Sequence, residues 1–281
     1  MKFNSKNTLS VLFTLLITLS FSTILHAEAF RSPSLGGATG LISTPTSHTG
    51  WEGSKFGLDV STHYLNNDNN DDASGSDEGY LIHKALFNLG ISGTNLELGL
   101  AYDDQPEWGT DDDTDDILLN AKWEFTEGLA IGGNFQMIEI NNDAVDTERN
   151  DFQFYFAATY PGNFFSMPAE TTIVVGHTWW GEEGRGNDYH NDNIDFSMGF
   201  DLDLAPSVFK NYVHWISDFA NYSYSTEPGG AISSERGAFN TGLRFALLRD
   251  RKFKLNLDVI ITDALDHNRD WAIGGAFGLS L

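Results

Sequence analysis

Cysteine is missing from the 281 residues. That excludes a disulfide scaffold, a thiolate metal site, a cysteine nucleophile and a lipid-anchored N-terminal cysteine. Basic residues are scarce, with 16 Lys+Arg against 40 Asp+Glu and a formal net charge of −24. So acidic a chain carries far too little positive charge to displace counterions along a phosphate backbone, so nucleic acid is excluded as a partner. Helical periodicity is nowhere sustained, and past residue 30 no run approaches the roughly 18 apolar residues a spanning helix needs. Aromatic residues, by contrast, are plentiful: 21 Phe, 7 Trp and 9 Tyr, alongside 28 Gly. A hydrophobic content of 41% argues for a folded chain.

The first 29 residues read as an export signal. Lys2 and Lys6 open it, an apolar stretch runs from Leu9 to Leu25, and the small-residue site Ala27-Glu28-Ala29 closes it. A positive start, an apolar middle and an A-x-A site are the parts of a secretory signal peptide. Residues 30–54 then form a Gly-rich lead-in, or a plug, ahead of the main domain, 55–281.

That domain is dominated by alternation with a period of two. Phe56, Leu58, Val60, Thr62 and Tyr64 alternate with Gly57, Asp59, Ser61 and His63. The pattern returns at 96–102, 117–125, 152–160, 194–202, 239–247, 253–261 and 271–281. Successive strand side chains point to opposite faces, so each segment has one apolar face and one polar or small face. Four further segments, 80–89, 129–140, 171–180 and 211–224, read as strands of ambiguous parity. His83 and His177 fit either face. The total is twelve strands.

Connections after odd-numbered strands are expected at 65–79, 103–116, 141–150, 181–193, 225–238 and 262–270. They hold 25 acidic residues and four arginines. Those after even-numbered strands are shorter and carry turn residues, as in Thr126-Glu127-Gly128. Short turns on one side and long loops on the other describe an up-and-down antiparallel barrel in an outer membrane, with periplasmic turns and extracellular loops. Aromatic residues near strand ends (Tyr64, Tyr102, Trp123, Phe125, Tyr160, Trp271) suit the two membrane interfaces. The fold expected is therefore all-β: a single transmembrane β-barrel of about 12 strands, in the bacterial outer membrane. A soluble periplasmic ligand-binding β-barrel would show the same alternation with its faces reversed.

Two resemblances add to this. The terminal strand, with Phe277, Leu279 and Leu281, resembles the outer-membrane assembly signal, which implies contact with the assembly machinery. It ends in Leu where that signal favours an aromatic residue, and Ala276 stands where Gly is usual. Leu35-Gly36-Gly37-Ala38-Thr39-Gly40-Leu41-Ile42-Ser43-Thr44-Pro45-Thr46 resembles the opening of the YjbH-type outer-membrane proteins, which implies a link to exopolysaccharide production.

Candidate site residues fall into two groups. Asp68, Asp72, Asp111, Asp112 and Asp113 are surface cation candidates; position 73 is Ala, where an EF-hand loop needs Gly. No resident cofactor is expected, only loosely held Ca²⁺ or Mg²⁺ beside lipopolysaccharide. The second group is the inward face: Asp59, Glu97, Lys122, Glu124, Asp195, Asp201, Asp203, Arg244, Lys252, Lys254 and Asp258. Arginines introduced on that face at Gly99 or Asn256 are expected to be tolerated better than at Leu98 or Leu257. Ser61 and His63 share it, roughly 6–7 Å apart by strand rise, too far for direct proton transfer. No enzyme is expected. The reading is a narrow, porin-like channel or a polysaccharide-export component, with a non-conducting structural or adhesive barrel as the alternative.

Overall fold

The computed structural model describes residues 30–281 except 52, 67–78, 92–93, 107–112, 141–146, 184–188, 222–236 and 266–269. Twelve strands follow in order: β1 (Phe56–Leu65), β2 (Tyr80–Ile91), β3 (Thr94–Pro106), β4 (Asp113–Thr126), β5 (Leu129–Ile140) and β6 (Thr147–Phe164). The second half is β7 (Met167–Glu183), β8 (Tyr189–Asp203), β9 (Val213–Ala220), β10 (Ala238–Arg249), β11 (Phe253–Thr262) and β12 (Asp270–Ser280), with one helical turn, α1 (Pro206–Phe209), before β9. Each strand pairs antiparallel with its sequence neighbours. β12 returns to β1, Phe277 opposite Val60, and closes the barrel.

Alternation sets the two faces. Along β11 every odd residue from Phe253 to Ile261 is exposed and every even one from Lys254 to Thr262 is buried. Val60, Leu98, Leu119, Phe154, Met198, Leu257 and Phe277 stand around the outside with between 37 and 50% of their surface uncovered. Water does not tolerate so continuous an apolar surface, but hydrocarbon does. The inside is polar, which inverts a soluble core. The chain is a transmembrane β-barrel.

Aromatic pairs gather at the two rims. Trp123 with Phe125, Phe200 with Trp215 and Phe253 with Phe277 mark the short-turn end; Tyr64 with Trp271 and Phe152 with Trp179 mark the long-loop end.

Strand bounds differ from the sequence expectation. The ladder continues into the acidic segments, so β3 and β4 take up 103–106 and 113–116, and the β6–β7 connection shrinks to residues 165–166. Asp103 and Asp116 pair across β3 and β4 on the inner face, where they are buried. β9 runs Val213–Ala220; of the span expected, 211–224, residues 222–224 lie outside the described residues. His83 and His177 both belong to the outer face: His83 meets Thr62, and His177 lies edge-on to Trp179.

Candidate functional site

The lumen is occupied by residues 30–51. Apart from Arg31, every residue from Phe30 to Trp51 is buried. The segment doubles back on itself through bridges between Pro33 and Thr39 and between Gly40 and Pro45. Gly37, at φ 86°, makes one bend in a conformation that L side chains rarely adopt. A Cβ there would also press on the Asn120 amide at 3.0 Å. So short a doubled segment cannot pair all its own backbone groups, and the wall supplies the rest.

Asp218 on β9 is the densest anchor. One carboxylate oxygen accepts three successive backbone N–H groups, from Ile42 (3.0 Å), Ser43 (2.7 Å) and Thr44 (2.8 Å). Consecutive amides converging on one anion form a nest, here with the anion built into the barrel. Arg244 on β10 does the converse. Its guanidinium donates to the carbonyls of Gly40 and Leu41, both at 3.1 Å, and pairs with Asp258 at 3.1 Å.

Four other strands act alike. Glu97 on β3 accepts from the Thr39 backbone N–H at 2.8 Å and its hydroxyl at 2.5 Å, while its ion partner Lys122 on β4 donates to the Thr39 carbonyl at 2.8 Å. Lys84 on β2 reaches the Ser34 carbonyl at 2.5 Å. Lys254 on β11 donates to the carbonyls of Arg31 and Gly50, pairs with Asp59 at 3.0 Å and lies over the Trp51 ring. Trp51 itself donates to Asp59. In the other direction, Arg31 forks onto Glu170 of β7, and His48 meets Glu124 at 3.1 Å. Buried charges need partners of this quality, because desolvation of each ion costs several kcal/mol.

Towards the long-loop end the contact becomes apolar. Leu35, Leu41 and Ile42 pack with Leu65, Tyr80, Ile82, Ile216, Ile260 and Ala272. A separate polar chain lines the β5–β8 wall, where Asn134 donates to Gln153, Gln153 to Asp195, and Thr178 to Asp195.

Of the residues expected to face the lumen, Asp59, Glu97, Lys122, Glu124, Arg244, Lys254 and Asp258 come together around the segment. Asp201 pairs with His214 at 2.8 Å, Asp203 is buried next to it on β8, and Asp195 belongs to the separate chain. Lys252 is a correction: it is exposed in the turn between β10 and β11, one residue before the ladder starts. Asp68, Asp72, Asp111 and Asp112 lie outside the described residues; Asp113 begins β4. Among the described residues no group of His, Cys, Asp and Glu is arranged to hold a metal ion. His63 sits between Lys84 (3.3 Å) and Asp258 (3.6 Å), an electrostatic link in the same network.

Lys84, Glu170, Asp218 and His214 are site residues the sequence reading missed. Three lie on strands whose parity was ambiguous, and Glu170 fell in an expected connection. The ambiguity has a cause: Ile82 and Ile216 also face inward, to meet the apolar tip of the segment, so both faces of β2 and β9 carry apolar residues.

No known family model matches this chain, and no curated protein does. Solved structures similar to it are bacterial barrels. The translocator domain of the autotransporter NalP from Neisseria meningitidis shares 9% identity at a TM-score of 0.45, over 82% of this chain and 90% of that one. The KdgM porin shares 8% at 0.37, over 80% and 99%. The outer membrane protein Omp33 of Acinetobacter baumannii shares 8% at 0.37, over 81% and 98%. These likenesses are distant, and the barrel stands on its own strand pairing.

Proposed function

We propose that this protein is an outer-membrane β-barrel of the bacterial envelope that is closed at rest by its own N-terminal segment. It is exported by a cleaved signal peptide, with the short turns in the periplasm and the acidic loops outside. The observation that carries this reading is the spending of the lumen charges on residues 31–50. Asp218, Arg244, Glu97, Lys122 and Lys254 are the groups that would line an open path, and each is bonded to the segment instead. The resting protein is then a structural or interaction barrel that presents its loops to lipopolysaccharide, divalent cations or an external partner. No catalytic step belongs to this reading.

A narrow channel is the second reading, favoured by one feature. The segment is held by side chains rather than by strand ladders, so it can leave without unzipping the barrel. The polysaccharide link implied by the YjbH-type resemblance belongs to this second reading. Planar-bilayer recording of the mature protein and of a variant lacking residues 30–50 separates the two. The closed barrel predicts a silent mature protein and steady, cation-preferring conductance in the deletion, because acids outnumber bases on the exposed wall. Steady conductance in the undeleted protein overturns it.

A further inference from the structure

The few cations of this chain are not spread evenly over its surface. Two neighbouring connections at the short-turn end, 204–212 and 250–252, hold Lys210, Arg251 and Lys252 exposed, with exposed Arg249 at the end of β10 beside them. Arg249 ties the two together by donating to the Asn211 carbonyl at 3.3 Å, and Tyr212 accepts from the Ala246 backbone N–H. The one acid among them, Asp250, is occupied in the turn, accepting from the Lys252 backbone N–H at 2.8 Å.

Exposed apolar side chains surround these charges. Val208 and Phe209 of α1, Tyr212, Leu247, Leu248 and Phe253 all stand in the open, continuous with the lipid-facing belt through Phe253 and Phe277. Cations set at the edge of an apolar belt are what the phosphates of a lipid headgroup meet when its acyl chains cover that belt.

We propose that this corner of the rim is a binding surface for anionic phospholipid in the periplasmic leaflet. Val208, Phe209 and Leu248 contact the acyl region, and Lys210, Arg251 and Lys252 contact the headgroup phosphate. The assignment rests on the orientation given above, with short turns in the periplasm. It sets the two leaflets apart: the acid-rich loops meet lipopolysaccharide phosphates only through bridging divalent cations, whereas this rim meets phosphate directly.

The test titrates the folded, detergent-solubilised full barrel with short-chain phosphatidylglycerol or phosphatidylcholine and follows the midpoint of heat-modifiable gel migration. The wild type is expected to gain stability from phosphatidylglycerol at concentrations at least tenfold below those needed with phosphatidylcholine. The triple variant K210Q/R251Q/K252Q is expected to lose that preference while still migrating as a folded barrel, since each charge near the headgroups is worth about a fivefold change in partition. Arg149→Gln, at the other end of the barrel, is expected to keep it. A preference unchanged in the triple variant, or absent from the wild type, overturns the lipid site and leaves the closed barrel standing. Labelling of a Ser207→Cys variant from outside intact cells overturns the orientation and the site with it.

Discussion

At the residue scale, the segment in the lumen depends on a few side chains that each make several bonds. Asp218→Ala leaves three backbone N–H groups without an acceptor in a dry interior, and bonds to charged groups are each worth roughly 1.5–3 kcal/mol. The variant should therefore lose about 3 kcal/mol or more, and amides 42–44 should exchange with solvent much faster by hydrogen–deuterium exchange while the β-ladder amides keep their protection. Equal loss of protection throughout would mean that Asp218 supports the barrel rather than the segment. Gly278 is a second sensitive position. A Cβ there would meet the Asp59 carboxylate and come within 2.7 Å of Lys254, inside the ion pair that holds Gly50 and Trp51. Gly278→Ala should lower the midpoint of heat-modifiable migration, whereas Gly162→Ala, where a Cβ meets nothing within 4 Å, should move it less. These contacts were not legible in the sequence. Asp218 and Lys84 sit on strands where Ile216 and Ile82 obscure the alternation, and those isoleucines face inward only because Leu35, Leu41 and Ile42 lie against them.

At the element scale, the strands whose inner face is mainly polar were the readable ones. Along β11 lipid covers one side, while Lys254, Asn256 and Asp258 fill most of the other and Ile260 meets the segment's apolar tip. Leu257→Arg should cost about 2–4 kcal/mol of folding free energy in vesicles, the depth-dependent price of an arginine near the midplane. Asn256→Arg, expected from the sequence to be tolerated, should also be harmful, because Asn256 accepts from Ser32 in the filled lumen. The two are separable: removing residues 30–50 should rescue Asn256→Arg and leave Leu257→Arg as it was, read by urea unfolding in liposomes. The β6–β7 hairpin offers another test. Its two-residue turn holds Phe165 at φ 48° and Ser166 at φ 65°, both left-handed and neither glycine. Replacing the pair by Asn-Gly should stabilise the barrel by about 1 kcal/mol in the same unfolding assay, since left-handed residues other than glycine cost roughly that much each.

At the scale of the whole molecule, twelve strands make a cylinder between the side-chain-filled eight-stranded barrels and the open ones of sixteen or more. The strand number and the antiparallel closure were readable from the alternation. What fills the cylinder was not, because the filling segment has no periodicity of its own and its partners lie up to 224 residues away. Protease added to intact cells should cut within 67–78 and spare 127–128, and cleavage at the second site alone would invert the topology.

The sequence distance between the segment and its anchors also orders events in time. Glu97 and Lys122 can hold Thr39 early, but Ser32 meets Asn256 and the Arg31 carbonyl accepts from Lys254, so the full set of contacts must wait for β11. Loop closure of that length is slow relative to hairpin formation. Docking is therefore completed only once β11 is in place. On the proposed closed-barrel reading, a copy whose segment has not yet docked is a hole in the permeability barrier, and the rate of docking, more than the final stability, decides how much the cell leaks while making this protein.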